Sequence, residues 1–229
     1  MAELRTGKYG QYYGSVWGTS KALTQAQMET NARYIYSYLT DKGWTLNAIA
    51  GVLGNMQNES AMNPGRWEGN DVGNGPGYGL VQWTPYTKYT EWCTSNGYSD
   101  PSTMDANLAR IIYELDNGIQ YYKNNYPYTF KTFVKSTDSP YTLACAFAFD
   151  YERSWTSLYG TEAEKEALRQ LRGGCANSWY SFLSGETPTP PVNPDPDEPD
   201  EPDTPTWKPI KQKKLSLLLL LASTRRRVR

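Results

Sequence analysis

The stretch TLNAIAGVLGNMQNESAMNP, residues 45–64, passes from an apolar helical repeat into a group of turn-forming residues. Apolar side chains recur every three or four positions from Leu46 to Met56, a spacing that predicts a helix with one buried face. The repeat ends near Asn58, so Glu59 lies at the C-terminal edge of this helix. The stretch therefore places one carboxylate where a buried helix gives way to a turn.

Start and stop signals mark further helices on both sides of this stretch. Thr24 and Gln27 match a capping box, and Gly43 follows the next apolar stripe as a stop signal. Thr161 and Glu164 match a second capping box. Besides the helix that ends near Asn58, the predicted helices lie between Thr24 and Gly43 and over 102–117, 140–152 and 161–172.

The segments between and before these helices have a different composition. Residues 63–78 contain five glycines and two prolines, which predicts a long excursion rich in turns. Residues 77–85, GYGLVQWTP, alternate partly and predict a short strand. The first twenty residues show no periodic apolar pattern. Residues 1–23 are therefore predicted to form an irregular arm whose aromatic side chains pack on the body. The predicted fold class is α+β, mainly α, with a small β excursion after the helix that ends at Glu59 and a main domain over 24–184.

The charge changes sharply along the chain beyond this domain. Residues 1–185 carry 15 basic and 17 acidic side chains. Residues 186–206 carry seven acidic side chains and no basic one, whereas residues 207–229 carry eight basic side chains and no acidic one. Prolines alternate with the acids, which predicts a disordered linker without a core over 185–209. The remaining residues 210–229 form a basic, leucine-rich tail.

The apolar run of this tail, Leu215–Ala222, is too short to cross a membrane. Its eight residues would make a helix of roughly 12 Å, against the ~30 Å of a hydrocarbon core. Two interpretations of residues 210–229 remain open: a segment that docks on other proteins or on an anionic membrane surface, or a disordered tail. The N-terminal sequence MAELRTGKYG lacks an apolar segment, so no secretory signal is predicted.

The chain contains no histidine, which excludes several classes of catalytic site. Zinc sites built on His ligands, Cys/His amidases and Ser/His/Asp triads all need an imidazole. Asp and Glu then remain as the groups that transfer protons in a hydrolase. Cys93, Cys145 and Cys175 follow no metal-binding spacing and are odd in number, which favours free thiols. No metal, cofactor or nucleic acid is expected as a ligand.

Several motifs and their order resemble those of phage tail-tip lysozymes. ESAMNP at 59–64 is followed about twenty residues later by GYGLVQW. Residues 28–92 carry most of the resemblance, in NARYIYSYLTDKGWTLNAIAGVLGNMQNES, NPGRW and GYGLVQWTP, and it continues more weakly through RIIYELDN and FKTFVKST to YER at 151–153. These proteins belong to the lysozyme-like superfamily, with goose-type lysozymes and lytic transglycosylases. The resemblance covers about residues 24–184 and implies a lysozyme-like fold that acts on peptidoglycan.

The resemblance assigns the catalytic glutamate of the family to Glu59. It would act as general acid towards the oxygen that joins N-acetylmuramic acid to N-acetylglucosamine. A general acid must hold its proton near neutral pH. The partial negative charge of a helix C-terminus and apolar surface from Leu53, Met56 or Met62 both favour a protonated carboxyl.

The resemblance also implies residues that bind the substrate. Tyr78, Gln82 and Trp83 would line the cleft, although burial in the core is an equal alternative for the two aromatic residues. A buried amide such as that of Gln82 needs partners, which favours a role in binding. For Ser60 and Asn63 the alternative is a role as local caps and turn-formers.

A second carboxylate is less clearly indicated. A hydrolase needs one about 5–9.5 Å from the acid, and Glu68, Asp71 and Glu152 are the candidates. Glu68 and Asp71 lie in the glycine-rich excursion, where solvated turns are common. Glu152 belongs to the shared YER motif and is either a cleft residue or the partner of Arg153 or another cation in an ion pair. Lytic transglycosylases need a single Glu, so hydrolysis and transglycosylation both remain open.

One wall of the cleft departs from the family pattern. Ser154 stands where relatives carry Pro after the YER motif, and residues 155–174 resemble an insertion. The shape of the cleft on this side therefore does not follow from the resemblance.

Two functions of different classes fit the sequence. The first is a glycosidase that degrades peptidoglycan, and the alternative is a non-catalytic module that binds the cell wall or builds the virion. The protein would be found in a phage tail, or in the host cytoplasm before release to the cell wall.

Overall fold

The computed structural model of the chain describes residues 2–190. The predicted linker from residue 191 onward and the basic tail at 210–229 lie outside the described residues. Within the described part, strands β1 and β2 precede eight α-helices, with a 3₁₀ turn at Glu68–Asn70 and a π-helical turn at Ala148–Glu152. The bounds are β1 Glu3–Gly7, β2 Gly10–Gly14, α1 Gln25–Asp41, α2 Leu46–Ser60, α3 Thr87–Ser95, α4 Met104–Asn117, α5 Phe130–Phe133, α6 Pro140–Phe147, α7 Trp155–Tyr159 and α8 Glu162–Leu183.

The N-terminal segment forms a hairpin, so the expectation of an irregular arm was wrong for residues 3–14. β1 and β2 pair in antiparallel register, with Leu4 opposite Tyr13. Tyr9 and Tyr12 are buried, and their rings lie 5.9 and 5.3 Å from the ring of Tyr34 on α1. The hairpin packs one face on α1 through its tyrosines. This contact stabilises the two short polar strands, whose own sequence does not predict a hairpin.

The fold class is α+β and mainly α, as the sequence predicts, but the excursion after α2 contains no regular strand. Tyr78 instead forms isolated bridges with Trp67 and Trp83. The hydroxyl of Ser60 donates to the carbonyl of Leu80 at 2.9 Å, which fastens this turn to the end of α2. Within residues 2–190, every helix is too short or too polar to span a bilayer.

The last helix is longer than predicted. α8 begins at the capping box of Thr161 and Glu164 but runs on to Leu183, past the predicted end at residue 172. Gly173 lies against the ring of Tyr141, which approaches to 2.2 Å from the place a Cβ would occupy. Gly173 therefore accommodates a neighbouring side chain inside the helix. Helices α3, α5 and α7 were not predicted.

Helices α2, α6 and α8 pack against one another, and α2 approaches both of the others closely. A Cβ on Gly51 would lie 3.0 Å from the backbone of α6 at Leu143, and one on Gly54 would lie 2.6 Å from the carbonyl oxygen of Arg172 on α8. Only glycine permits such contact between helix backbones. The close approach at Gly54 brings α8 beside the last turns of α2.

The chain after α8 returns to α1. Glu186 forms an ion pair with Arg33 at 3.1 Å, and the backbone N–H of Thr189 donates to the hydroxyl of Ser37 at 2.8 Å. The predicted solvated linker therefore does not begin at residue 185. Its first residues are held on the helical domain by these contacts.

Candidate active site

A cleft with a volume of about 480 Å³ opens beside the C-terminal end of α2. Side chains from α2, the excursion after it, the π-helical turn and the start of α7 line this cleft. Those that bear on its chemistry are Glu59, Arg66, Glu68, Gln82, Glu152 and Trp155.

Glu59 lies in the last turn of α2 and faces the cleft. The helix ends because Ala61 adopts the left-handed conformation, with φ of 52°. Nη2 of Arg172 donates to Oε1 of Glu59 at 2.5 Å, and Nη1 of the same arginine donates to the carbonyl of Asn55 at 2.8 Å. The side chain of Glu59 is 20% exposed and that of Arg172 is 10% exposed. The carboxylate is therefore held from one side by a buried cation and is open to the cleft on another.

Glu152 supplies a second carboxyl group to the same cleft. Its Oε1 is buried and has no hydrogen-bond partner among the described residues. Burial raises the pKa of Glu152 well above its ordinary range, the negative charge of Glu59 raises it further, and Arg172 opposes both effects. The ion pair with Arg153 considered from the sequence does not form, since that guanidinium lies over the ring of Tyr122 at 4.1 Å.

The raised pKa of Glu152 predicts a pH dependence of stability. The folded protein binds more protons than the unfolded chain between the ordinary pKa of 4.5 and the raised value, so the free energy of unfolding falls as pH rises through that window. An amide does not ionise, so Glu152→Gln should reduce this fall and stabilise the protein at neutral and alkaline pH. Urea unfolding at several pH values measures it, with Glu166→Gln on the exposed face of α8 as the control. Equal pH profiles for wild type and Glu152→Gln would contradict the burial argument.

The sequence indicated an apolar environment for Glu59, and the structure shows one that is only partly apolar. Leu53, Met56 and Met62 are fully buried beside it, but Arg172 adds a cation that the sequence did not reveal. This arginine lies 113 positions away, in the segment that resembled an insertion. Its side chain reaches Glu59 because α2 and α8 are in close contact.

The other two candidate carboxylates occupy different positions. Glu68 lines the cleft but is exposed. Asp71 is exposed on the excursion, where its carboxylate accepts from the amide of Asn74 at 3.2 Å. Asp71 thus stabilises a local turn, and the cleft brings together Glu59, Glu68 and Glu152.

The three residues expected to line the cleft separate into two groups. Gln82 lines it, and its amide Nε2 donates to the carbonyls of Gly79 at 2.8 Å and Arg66 at 3.2 Å. Its Oε1 remains as an acceptor for a ligand. Tyr78 and Trp83 do not line the cleft, because both are buried in the aromatic core beneath it, at 0% and 3% exposure.

Ser60 and Asn63 are buried residues that shape the site. Besides its bond to Leu80, Ser60 donates to the carbonyl of Met56 at 3.1 Å. The amide of Asn63 donates to the hydroxyl of Ser15 at 2.8 Å, and its oxygen accepts from the backbone N–H of Gly65 at 2.9 Å. Both side chains use their hydrogen-bonding groups on the protein, which places them as turn-formers.

Two cleft residues were missed by the sequence reasoning. Arg66 lies within the shared NPGRW motif, and its Nη1 is buried without an acceptor among the described residues. Trp155 is 76% exposed, and its ring lies 4.5 Å from that of Tyr159. The signal available for Arg66 was a basic residue inside a shared motif. Nothing in the sequence distinguished the exposed Trp155 from an aromatic residue of the core.

Two comparisons with known proteins match most of the helical domain. Residues 30–183 match the family described as phage tail lysozyme. The chain belongs to this family. It is also 45% identical over 168 residues to morphogenesis protein 1 of Bacillus phage B103, an alignment that covers 73% of this chain and 43% of the relative.

The family match confirms the resemblance read from the motifs. It includes α2, the excursion, the π-helical turn, α7 and all of α8, so each cleft element described above lies within it. The relative is named as a phage morphogenesis protein. The chain spans less than half the length of that relative.

Proposed function

We propose that this chain cleaves the glycan strand of peptidoglycan between N-acetylmuramic acid and N-acetylglucosamine, with Glu59 as the general acid. The observation that carries this proposal is the pair of carboxyl groups, Glu59 and Glu152, in one cleft. Because the charge of Glu59 raises the pKa of Glu152, the pair retains a proton at a pH at which isolated carboxyl groups have lost theirs. Glycosidic cleavage requires a carboxyl group in the cleft that can donate a proton.

Glu59 is the member of the pair that we assign to the bridging oxygen. Its carboxylate is open to the cleft, whereas Oε1 of Glu152 is buried. Glu59 donates its proton to the bridging oxygen, which keeps the electrons of the broken bond. Arg172 then stabilises the negative charge left on Glu59, and a charge-assisted hydrogen bond also fixes the orientation of the carboxylate.

The anomeric carbon is attacked either by water or by the 6-hydroxyl of the muramic acid itself, and the attacking group gives up its proton to a carboxylate of the cleft, which restores the acid. The first reaction leaves a reducing end and the second a 1,6-anhydro end. Mass spectrometry of purified sacculi digested with the full chain separates them, since the anhydro product is lighter by one water. We expect soluble muropeptides that end in muramic acid in one of these forms. Intact sacculi, or fragments cut only at peptide bonds, would contradict the proposal.

A non-catalytic role in the virion is the second candidate, and the name of the phage B103 relative favours it. A module of that kind would bind sacculi without cutting them. Sedimentation with sacculi, without release of soluble fragments, is its expected result. Docking of residues 210–229 on tail proteins or on an anionic membrane is a separate proposal that concerns residues outside the described part.

Trp155 is positioned to extend the binding surface for the glycan. The ring lines the mouth of the cleft and is largely exposed, so a sugar face can stack on it at little cost to folding. Trp155→Ala should raise KM by about threefold to tenfold, the factor expected for an aromatic contact of 0.5–1.5 kcal/mol, and leave the free energy of unfolding within about 0.5 kcal/mol. Trp155→Phe keeps a ring and should stay near wild type. An unchanged KM for Trp155→Ala would remove this residue from the binding surface.

A further inference from the structure

Arg66 presents a buried donor without an acceptor at the wall of the cleft. Nη1 of Arg66 meets no hydrogen-bond partner among residues 2–190, and burial lowers the pKa of its guanidinium. A buried donor left without a partner destabilises the fold, more so when it belongs to a charged group. The backbone is held in place, since the carbonyl of Arg66 accepts from the N–H of Gly79 at 2.9 Å and from Gln82. The fold therefore keeps an unsatisfied guanidinium nitrogen at the wall of the cleft.

The other arginines around the cleft already have partners. Arg153 also lines the cleft, and its guanidinium lies over the ring of Tyr122. Arg172 is paired with Glu59, and although its Nε also lacks a hydrogen-bond partner among the described residues, Arg172 does not line the cleft. Within residues 2–190, Arg66 is thus the cleft-lining arginine with a buried donor that has no acceptor.

We propose that Arg66 binds a carboxylate carried by the lactyl or peptide substituent of the muramic acid sugar. This inference rests on the proposed function and adds to it a selection for substituted glycan over neutral glycan. The sugar backbone of peptidoglycan is neutral, and its carboxylates lie on the substituent of the residue whose bond Glu59 would protonate. A guanidinium pairs with a carboxylate through charge-assisted and often bidentate hydrogen bonds. In a partly desolvated cleft such a pair is stronger than in water.

Binding to two matched ligands tests the proposal. Calorimetry uses the full chain carrying Glu59→Gln, which keeps the glycan intact. One ligand is a peptidoglycan fragment whose substituents end in free carboxylates, and the other is the same fragment with these groups converted to amides. Neither fragment carries phosphate, so the result assigns the anion to a carboxylate. Added substitutions are Arg66→Met, Arg66→Lys and, as the control outside the cleft, Arg169→Met.

We expect Arg66→Met to weaken binding of the carboxylate fragment by about tenfold to hundredfold, the factor that corresponds to a hydrogen bond with a charged partner. Binding of the amide fragment should change less than about twofold, and Arg169→Met should leave both unchanged. Arg66→Lys keeps the positive charge but not the planar guanidinium that can bind both carboxylate oxygens, so it should give an intermediate loss of affinity. Arg66→Lys also provides a second variant if the Arg66→Met protein fails to fold. Thermal unfolding reports on folding, and removal of an unpaired buried cation should not lower Tm.

Three results would overturn the inference. An equal loss for both fragments would show that Arg66 only shapes the cleft, and no loss for either would show that its charge is unused. Failure of both fragments to bind while Arg66 is intact would overturn the proposed function, and the Arg66 inference with it.

Discussion

Glu59→Gln should lower the rate of peptidoglycan cleavage by about 10²- to 10⁴-fold, the contribution expected of a general acid. The amide is nearly isosteric with the carboxyl group and can accept the hydrogen bond from Arg172, but it cannot donate a proton to a leaving group. Release of soluble muropeptides from sacculi measures the rate, and circular dichroism with thermal unfolding measures the fold. Binding of glycan should persist, because the cleft is unchanged.

The matched control for this substitution is Glu68→Gln. Glu68 lines the same cleft but is exposed. We expect its activity to remain within about threefold of wild type, a change of less than 1 kcal/mol. Wild-type activity in Glu59→Gln would remove this residue from the mechanism. A loss confined to Glu68→Gln would move the proton donor to the excursion.

Glu114→Ala should lower the free energy of unfolding by about 3–5 kcal/mol, the cost of breaking a buried ion pair from one side. Glu114 on α4 is fully buried. Its Oε1 accepts from Nε1 of Trp83 and from Nε of Arg110, each at 2.9 Å, and its Oε2 accepts from the hydroxyl of Tyr151. Removal of the carboxylate leaves a buried guanidinium, an indole N–H and a phenol without their acceptor. Chemical denaturation measures the loss.

The same substitution should also disturb the cleft. Trp83 is adjacent to Gln82 in the sequence and Tyr151 is adjacent to Glu152, so Glu114 ties two cleft walls to one helix. Glu166→Ala on α8 is the control, because its ion pair with Arg169 is exposed and should contribute no more than about 1 kcal/mol. Similar losses for the two variants would contradict the view that Glu114 anchors the site.

The parts of this site that the sequence predicts are those fixed by local interactions. α2 follows from its apolar spacing and from the side chain of Thr45, which caps the N–H of Ala48. The position of Glu59 at the helix end follows from the same pattern. The carboxyl of Glu152 was a candidate because it lies in a shared motif.

The parts that the sequence did not predict depend on contacts between distant segments. Arg172 reaches Glu59 only because Gly54 lets α8 approach α2, and no local signal reports that approach. Tyr78 and Trp83 are of the residue types that stack on sugars, but neighbouring aromatic rings bury them. The ring of Trp83 stacks on that of Tyr89 at 4.5 Å. Burial is set by tertiary packing, so their place could not be read from their own segment.

The most direct test is a crystal structure of the Glu59→Gln protein with a peptidoglycan fragment long enough to cross the cleft. We predict that the oxygen between N-acetylmuramic acid and N-acetylglucosamine lies within about 3 Å of the side chain at position 59, the range of a hydrogen bond to a general acid. Glu152 should lie on the same side of that sugar pair. A glycan bound at another surface, or a bridging oxygen remote from position 59, would contradict the assignment of this cleft as the active site.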